Sequence, residues 1–154
     1  MALLLKNLVF TVLVPGTVAG YLPYVIGSRS AVTPPGVTRL LIAAPLFLVG
    51  AAIYFWCLWN FAVSGRGTPA PIDPPTRLVV RGLYRRVRNP MYIGVLTVVA
   101  GWAAYYRSIR LIEYGVTLAV LFHLFVVLVE EPLLRRRFGA AYDEYCHTVP
   151  RWIP

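Results

Sequence analysis

The stretch LLIAAPLFLVGAAIYFWCLWNFAV, Leu40–Val63, carries 21 apolar residues in 24 and no charge. A helix that crosses a bilayer needs about 20 mainly apolar residues, so this run reads as a span. Working outward, three further runs follow the same pattern. Leu8–Ile26 has 13 apolar residues of 19, with Pro15 and Pro23 placed to kink it, Met91–Tyr106 has 13 of 16, and Leu111–Val129 has 15 of 19. The link Arg107–Arg110 is short enough to make the third and fourth runs a helical hairpin. After them Leu134, Phe138, Ala141 and Tyr145 recur at helical spacing, the pattern of an amphipathic helix lying in the interface. The expected fold is an all-α membrane protein, one domain over residues 1–154, with about four spans and an interfacial C-terminal helix. A signal peptide is a rival reading of the first run, because Lys6 precedes an apolar stretch followed by small residues.

Composition supports the bilayer. Hydrophobic residues make up 58% and charged residues 14% of 154, against about 45–50% and about 25% in soluble domains. A core this small cannot hide that excess, which excludes an ordinary soluble enzyme and a disordered tail. Fifteen basic residues face six acids, for a net charge of +9. The arginines sit between apolar runs rather than on one soluble basic face, so nucleic acid is not expected, and membrane lipids with anionic headgroups are the expected partners. Cys57 lies in an apolar run and Cys146 in the polar tail, so no disulfide joins them, and no His/Cys cluster has metal spacing.

An even number of spans puts both termini on one side. That side collects Lys6, six arginines between residues 64 and 90, and Arg135, Arg136, Arg137 and Arg151, which makes 11 positive residues against four on the other. The positive-inside rule then places both termini, the 64–90 loop and the tail in the cytoplasm, at the inner membrane. Gly16 and Gly20 form a GxxxG in the first run, a helix-packing signal.

The unusual residues gather on the same side. The loop SGRGTPAPIDPPTRLVVRGLYRRVRNP, residues 64–90, has five Pro and three Gly in 27 and reads as a folded, non-helical connection. Its Gly65-Arg66-Gly67 offers either a plain turn or backbone amides open to a ligand. In Arg88-Asn89-Pro90-Met91-Tyr92, Asn89 reads as an N-cap and Pro90 as the first helical residue, which leaves Arg88 and Tyr92 unexplained. Glu130-Glu131 closes the fourth run, where acids oppose the helix dipole. The pair is solvated, joined to Arg135–Arg137, or holds a cationic ligand. His123 lies two turns before Glu130 on the same face and is either a bond to a neighbouring helix or part of a site. Arg135–Arg137 reads as a headgroup anchor.

In order and spacing, LVVRGLYRRVRNPMYIG, the apolar hairpin and EEPLLRRRFGAAYDEYCHTVPR resemble the integral-membrane methyltransferase superfamily of isoprenylcysteine carboxyl methyltransferases and phosphatidylethanolamine N-methyltransferases. The likeness covers Pro69 to Arg151. It implies a methyltransferase that uses S-adenosylmethionine, releases S-adenosylhomocysteine and acts on a lipophilic acceptor entering from the bilayer. By the same resemblance Gly65, Gly67, Asn89, Glu130, Glu131 and Arg151 sit at the cofactor, and Arg88, Asn89 and Tyr92 match the Arg-His/Asn-Pro-x-Tyr motif. Tyr84, Tyr92 and Tyr142 are candidates for cation–π contact with the sulfonium. Arg88, Tyr92 and Glu130 are then the expected catalytic residues, with His123 and Tyr142 beside the cofactor. Asn89 stands where isoprenylcysteine enzymes carry His. Adjacent helical residues point about 100° apart, so one acid is expected to face the donor and the other the interface or an arginine, with Glu130 the donor-facing one. The rival is a membrane scaffold or transporter subunit of this fold without activity.

Overall fold

A computed structural model describes residues 9, 11–31, 35–65 and 78–153. The chain is helical, with no strand among the described residues. The helices are α1 (Leu22–Ser30), α2 (Val37–Asn60), α3 (Pro90–Tyr106), α4 (Ile109–Phe125), α5 (Glu131–Phe138) and α6 (Ala140–Thr148). Widened π turns lead into α1 (Gly16–Tyr21), extend α2 (Phe61–Gly65) and join α4 to α5 (Val126–Glu130). Two continuous helices, Val37–Val63 and Ile109–Phe138, are long and apolar enough to cross a membrane. Their outward faces carry Leu41, Leu48, Trp59, Val116, Val120 and Leu128, all exposed, as lipid-facing surfaces require.

The two proline positions in the first run shape its local structure. Pro23 has no N–H to give to a carbonyl one turn back, and no water inside a bilayer makes up the loss. The neighbouring helices supply donors instead. Trp102 Nε1 donates to Ala19 O at 2.8 Å, and the Tyr114 hydroxyl donates to Val18 O at 2.7 Å. Thr11 Oγ1 and the Tyr54 hydroxyl share a hydrogen bond of 2.9 Å. At the far end Ser30 and Ser108 hydroxyls meet at 2.7 Å, fixing α1 to the turn of the α3–α4 hairpin. That turn is two residues long and holds Arg107 at φ 51°, a left-handed conformation that side chains other than Gly adopt at a cost of about 1–2 kcal/mol.

The closest helix contact is between α2 and α3. A Cβ on Gly50 would lie 2.7 Å from Gly94 O, and one on Gly94 would lie 2.9 Å from Gly50 O. Only two glycines facing each other allow the backbones this near. The Gly16–Gly20 pair does not play that part. A Cβ at Gly20 would meet nothing within 4 Å, and one at Gly16 only Thr11 O at 3.2 Å. The first run is instead held by the side-chain donors above.

The C-terminal third differs from expectation in two ways. The fourth helix does not end at Glu130-Glu131. Pro132 cannot bond to the preceding turn, the helix widens before it so that Glu131 N–H reaches Val126 O, and it continues to Phe138. The expected single amphipathic helix is two, broken at Gly139, whose φ of 54° suits glycine. Its apolar stripe faces inward, since Tyr142, Tyr145 and Val149 are buried against Leu78, Leu134, Phe138 and Cys146.

Filling the glycine contact should therefore cost stability. Gly50→Ala or Gly94→Ala is expected to lower it by about 1–3 kcal/mol, the usual cost of overpacking. Gly20→Ala should change it little. Thermal unfolding in detergent, followed by helical circular dichroism, reads the contrast, and equal melting of all three variants would contradict the packing.

Candidate functional site

Three elements converge at one end of the bundle: the segment Arg88–Tyr92 entering α3, the Phe122–Glu131 stretch of the fourth helix, and the tail Pro150–Trp152. Arg88 N donates to Pro150 O at 2.9 Å, and Asn89 Nδ2 donates to Arg151 O at 3.2 Å. Asn89 occupies the N-cap position, but its side chain makes no capping bond. It ties down the tail instead, and Pro90 begins the helix as read from the sequence.

Glu131 is the centre of this junction. Arg151 donates to it through two parallel bonds, Nε to Oε1 at 2.7 Å and Nη2 to Oε2 at 3.0 Å, and Arg88 Nη1 stands 3.1 Å from Oε1. The carboxylate side chain is 5% exposed, that of Arg88 11% and that of Arg151 32%. Bidentate pairing of this kind is the strong form of the charge-assisted bond. It holds Arg151 charged, its pKa raised by the hydrogen bond to Glu131. The cationic partners of Glu131 are thus Arg88 and Arg151. Arg135 pairs with Asp143 at 3.1 Å across the Gly139 break.

Glu130 has different surroundings. Its Oε1 accepts the Tyr92 hydroxyl at 2.6 Å, and no arginine or lysine pairs with it among the described residues. An aromatic wall stands beside this bond. Tyr92 packs on Phe122 with ring centroids 4.5 Å apart and lies 6.3 Å from Trp152. Trp152 Nε1 donates to His123 Nδ1 at 3.1 Å. Arg88 Nε is buried with no partner, a donor left open next to the junction.

The residues expected from the sequence separate into two groups. Arg88, Asn89, Tyr92, His123, Glu130, Glu131 and Arg151 meet at this junction. Tyr84 and Tyr142 are buried in packed clusters, the first beside Cys57 with its carbonyl accepting the Tyr145 hydroxyl at 2.6 Å, the second beside Tyr145 and Cys146. Burial raises both phenols above their ordinary pKa, with the neighbouring thiols adding to it, so they stay protonated. Gly65 ends the π turn after α2, and Gly67 lies outside the described residues. Both cysteines are free. Besides Phe122, two members of the site from the C-terminal segment were not anticipated, Trp152 and Cys146, the latter accepting Arg88 Nη1 at 2.7 Å. Nothing in local spacing points to either, because the contacts form only when the tail folds back over α3.

Residues 38–141 match the phospholipid methyltransferase family. The chain belongs to that family. No curated protein and no solved structure matches it. The match takes in Arg88, Asn89, Tyr92, His123 and both acids, whereas Arg151 and Trp152 lie beyond it. A membrane protein of the phospholipid methyltransferase family has methyl transfer as its chemistry and lipids as its setting, and the junction is where this chain concentrates polar side chains at the end of an apolar bundle.

Removing one partner from a buried ion pair leaves the other charge uncompensated, at a cost of about 3–5 kcal/mol. Arg151 is partly exposed, so Glu131→Gln should lie near the lower end, about 3 kcal/mol, and release the tail. Arg135→Gln, which breaks an exposed pair, should stay within about 0.5 kcal/mol. Denaturation in detergent together with iodide quenching of Trp152 separates the two, and a Glu131→Gln protein as stable and as shielded as wild type would refute the junction.

Proposed function

We propose that the chain is an S-adenosylmethionine-dependent methyltransferase whose acceptor is a lipophilic molecule arriving from the bilayer, with Tyr92 and Glu130 at the transfer centre. The observation that carries this reading is the unequal state of the two adjacent acids. Glu131 is saturated by two arginines, while Glu130 has one neutral donor and no cation among the described residues. A half-buried carboxylate without a counter-charge is a place for a cationic ligand.

The donor set fits the cofactor. Glu130 can accept from an ammonium, the open Arg88 Nε can donate to a carboxylate, and the faces of Tyr92, Phe122 and Trp152 suit a sulfonium or a flat base. The group supplies, when bound, an electrophilic methyl that moves by direct displacement, the S–C electron pair returning to sulfur. The protein's part is alignment, which can supply on the order of 7–11 kcal/mol of a barrier. Arg88, Glu131 and Arg151 fix the tail that completes the aromatic wall. Asn89 holds the entry to α3, and Tyr92 orients Glu130. Where the acceptor is an amine, Glu130 is also the base within reach for its proton. A carboxylate or thiolate acceptor needs none. We include His123 as the support of Trp152, and assign Gly65, Gly67, Tyr84 and Tyr142 to the outer frame of the cofactor site.

The described cations divide by end, with Arg81, Arg85, Arg86, Arg88, Arg135–Arg137 and Arg151 at the site and Arg29, Arg39, Arg107 and Arg110 at the other. With the positive-inside rule, we place the site and both termini in the cytoplasm, at the inner membrane. Reporter fusions after Pro154 are expected to be active only in a cytoplasmic format, and a periplasmic signal would reverse the assignment.

Calorimetry in detergent should show S-adenosylhomocysteine binding at one site per chain. Glu130→Gln should lose a charge-assisted bond worth about 1.5–3 kcal/mol, roughly a tenfold to hundredfold drop in affinity, with the melting temperature kept. No heat with wild-type protein at millimolar ligand would favour the inactive scaffold. Wild-type affinity in Glu130→Gln would remove Glu130 from the site.

A further inference from the structure

His123 lies on the outward side of α4, exposed together with Leu121 and Leu124. An ionisable ring on the apolar surface of a span calls for a reason, and the structure supplies one contact. His123 Nδ1 accepts the Trp152 indole N–H at 3.1 Å, with the two ring centroids 6.2 Å apart. The direction of that bond fixes the state of the imidazole. An indole nitrogen can only donate, so Nδ1 must offer its lone pair and the single ring proton must sit on Nε2. A second proton would set a donor against a donor, and the bond would be lost. Histidine is the side chain that takes up such a proton between about pH 5 and about pH 8. No acid pairs with His123 among the described residues. The other titratable groups of the junction are engaged elsewhere: the Tyr92 hydroxyl of α3 on Glu130, Glu131 on Arg88 and Arg151, and Cys146 of α6 on Arg88.

Trp152 carries this bond into the site. Arg151 before it is clamped by Glu131, whereas Ile153 after it is 80% exposed. The place of the indole in the aromatic wall rests on ring contact with Tyr92, 6.3 Å between centroids, and on the one hydrogen bond its N–H makes. We propose that the His123–Trp152 bond is a proton-sensitive latch on the donor site. With His123 neutral it holds Trp152 against Tyr92, and with His123 protonated it releases the indole and weakens donor binding. The bond is therefore present at higher pH and lost as pH falls. A ligand that needs the wall favours the neutral imidazole, so by reciprocity its binding keeps the latch closed to lower pH. This rests on the methyltransferase reading and adds a regulation to the same site.

The test uses the full chain in detergent with S-adenosylhomocysteine as the probe, at about pH 7.5 and about pH 5.5, which bracket histidine. His123→Asn puts an amide oxygen near the Nδ1 position, so it accepts the indole at both pH values and carries no titrating group. On acidification, calorimetry should show wild type losing about twofold to tenfold more affinity than His123→Asn, the range of one hydrogen bond. Trp152→Phe, which has no N–H to latch, should lose no more than His123→Asn, and it carries the comparison if the Asn variant melts early. Trp152 emission is read as the difference between proteins with and without Trp152→Phe. It should change over this range in wild type and stay constant in His123→Asn, and bound S-adenosylhomocysteine should move the change to lower pH. An equal loss of affinity in wild type and both variants, or Trp152 emission in wild type that is constant with pH, overturns the latch and leaves the donor site standing. A His123-dependent change in emission with no product binding at either pH defeats the methyl-transfer reading and the donor role of the latch with it.

Discussion

Glu131 sits inside a helix that runs from Ile109 to Phe138, with its side chain 5% exposed. A lone carboxylate there would be costly, since an ion loses its hydration on burial and regains it only through well-placed partners. The partners come from separate parts of the sequence, Arg88 before α3 and Arg151 in the tail. Satisfying this one group therefore forces the loop, the hairpin and the C-terminus together. The bonds from Arg88 N to Pro150 O and from Asn89 to Arg151 O follow as a consequence, because the tail can reach Glu131 only by crossing the start of α3. Trp152, the next residue, then lands on His123 and Tyr92.

That convergence needs a rigid base. The Gly50–Gly94 contact brings α2 and α3 to backbone distance, and the two-residue turn at Arg107–Ser108 sets α4 against α3. In the first run the carbonyls near Pro23 are met by Trp102 and Tyr114, so a helix that departs from regular geometry is tied by side chains of its neighbours. In lipid an unmet carbonyl has no water to turn to, which is why an aromatic donor on a neighbouring helix can hold a span as firmly as apolar packing does.

Much of this fold is legible in the chain because hydrophobic length is a local property. The Leu40–Val63 run and the hairpin appear where the composition puts them. The cluster Arg88-Asn89-Pro90-x-Tyr92 and the acid pair also stand out, because polar side chains at the end of an apolar run need a reason. Their partners are less legible. Asn89 and Pro90 are a good helix start, yet Asn89 spends its amide on the tail, a choice visible only once Arg151 is near. The end of the fourth helix was misplaced because Pro132 and two acids look like a terminus, while a π turn lets the helix absorb the proline and the arginines absorb one charge. Gly50 and Gly94 lie 44 positions apart, so their contact leaves no spacing signal, whereas Gly16 and Gly20 show a spacing without a contact.

The same geometry explains why two identical, adjacent acids end in different chemical states. Neighbours on a helix diverge by about 100°, so Glu131 turns toward the tail and Glu130 toward α3. The tail brings a guanidinium fork that fills both oxygens of Glu131. The α3 face brings a phenol, which fills one oxygen of Glu130 and carries no charge to oppose a second, cationic partner. A chain with both acids neutralised would have a stable junction and no anionic position for a ligand. One with neither neutralised would carry two repelling carboxylates in a half-buried site. The arrangement found here neutralises Glu131 with two arginines and leaves Glu130 with a neutral phenol donor and no cationic partner among the described residues.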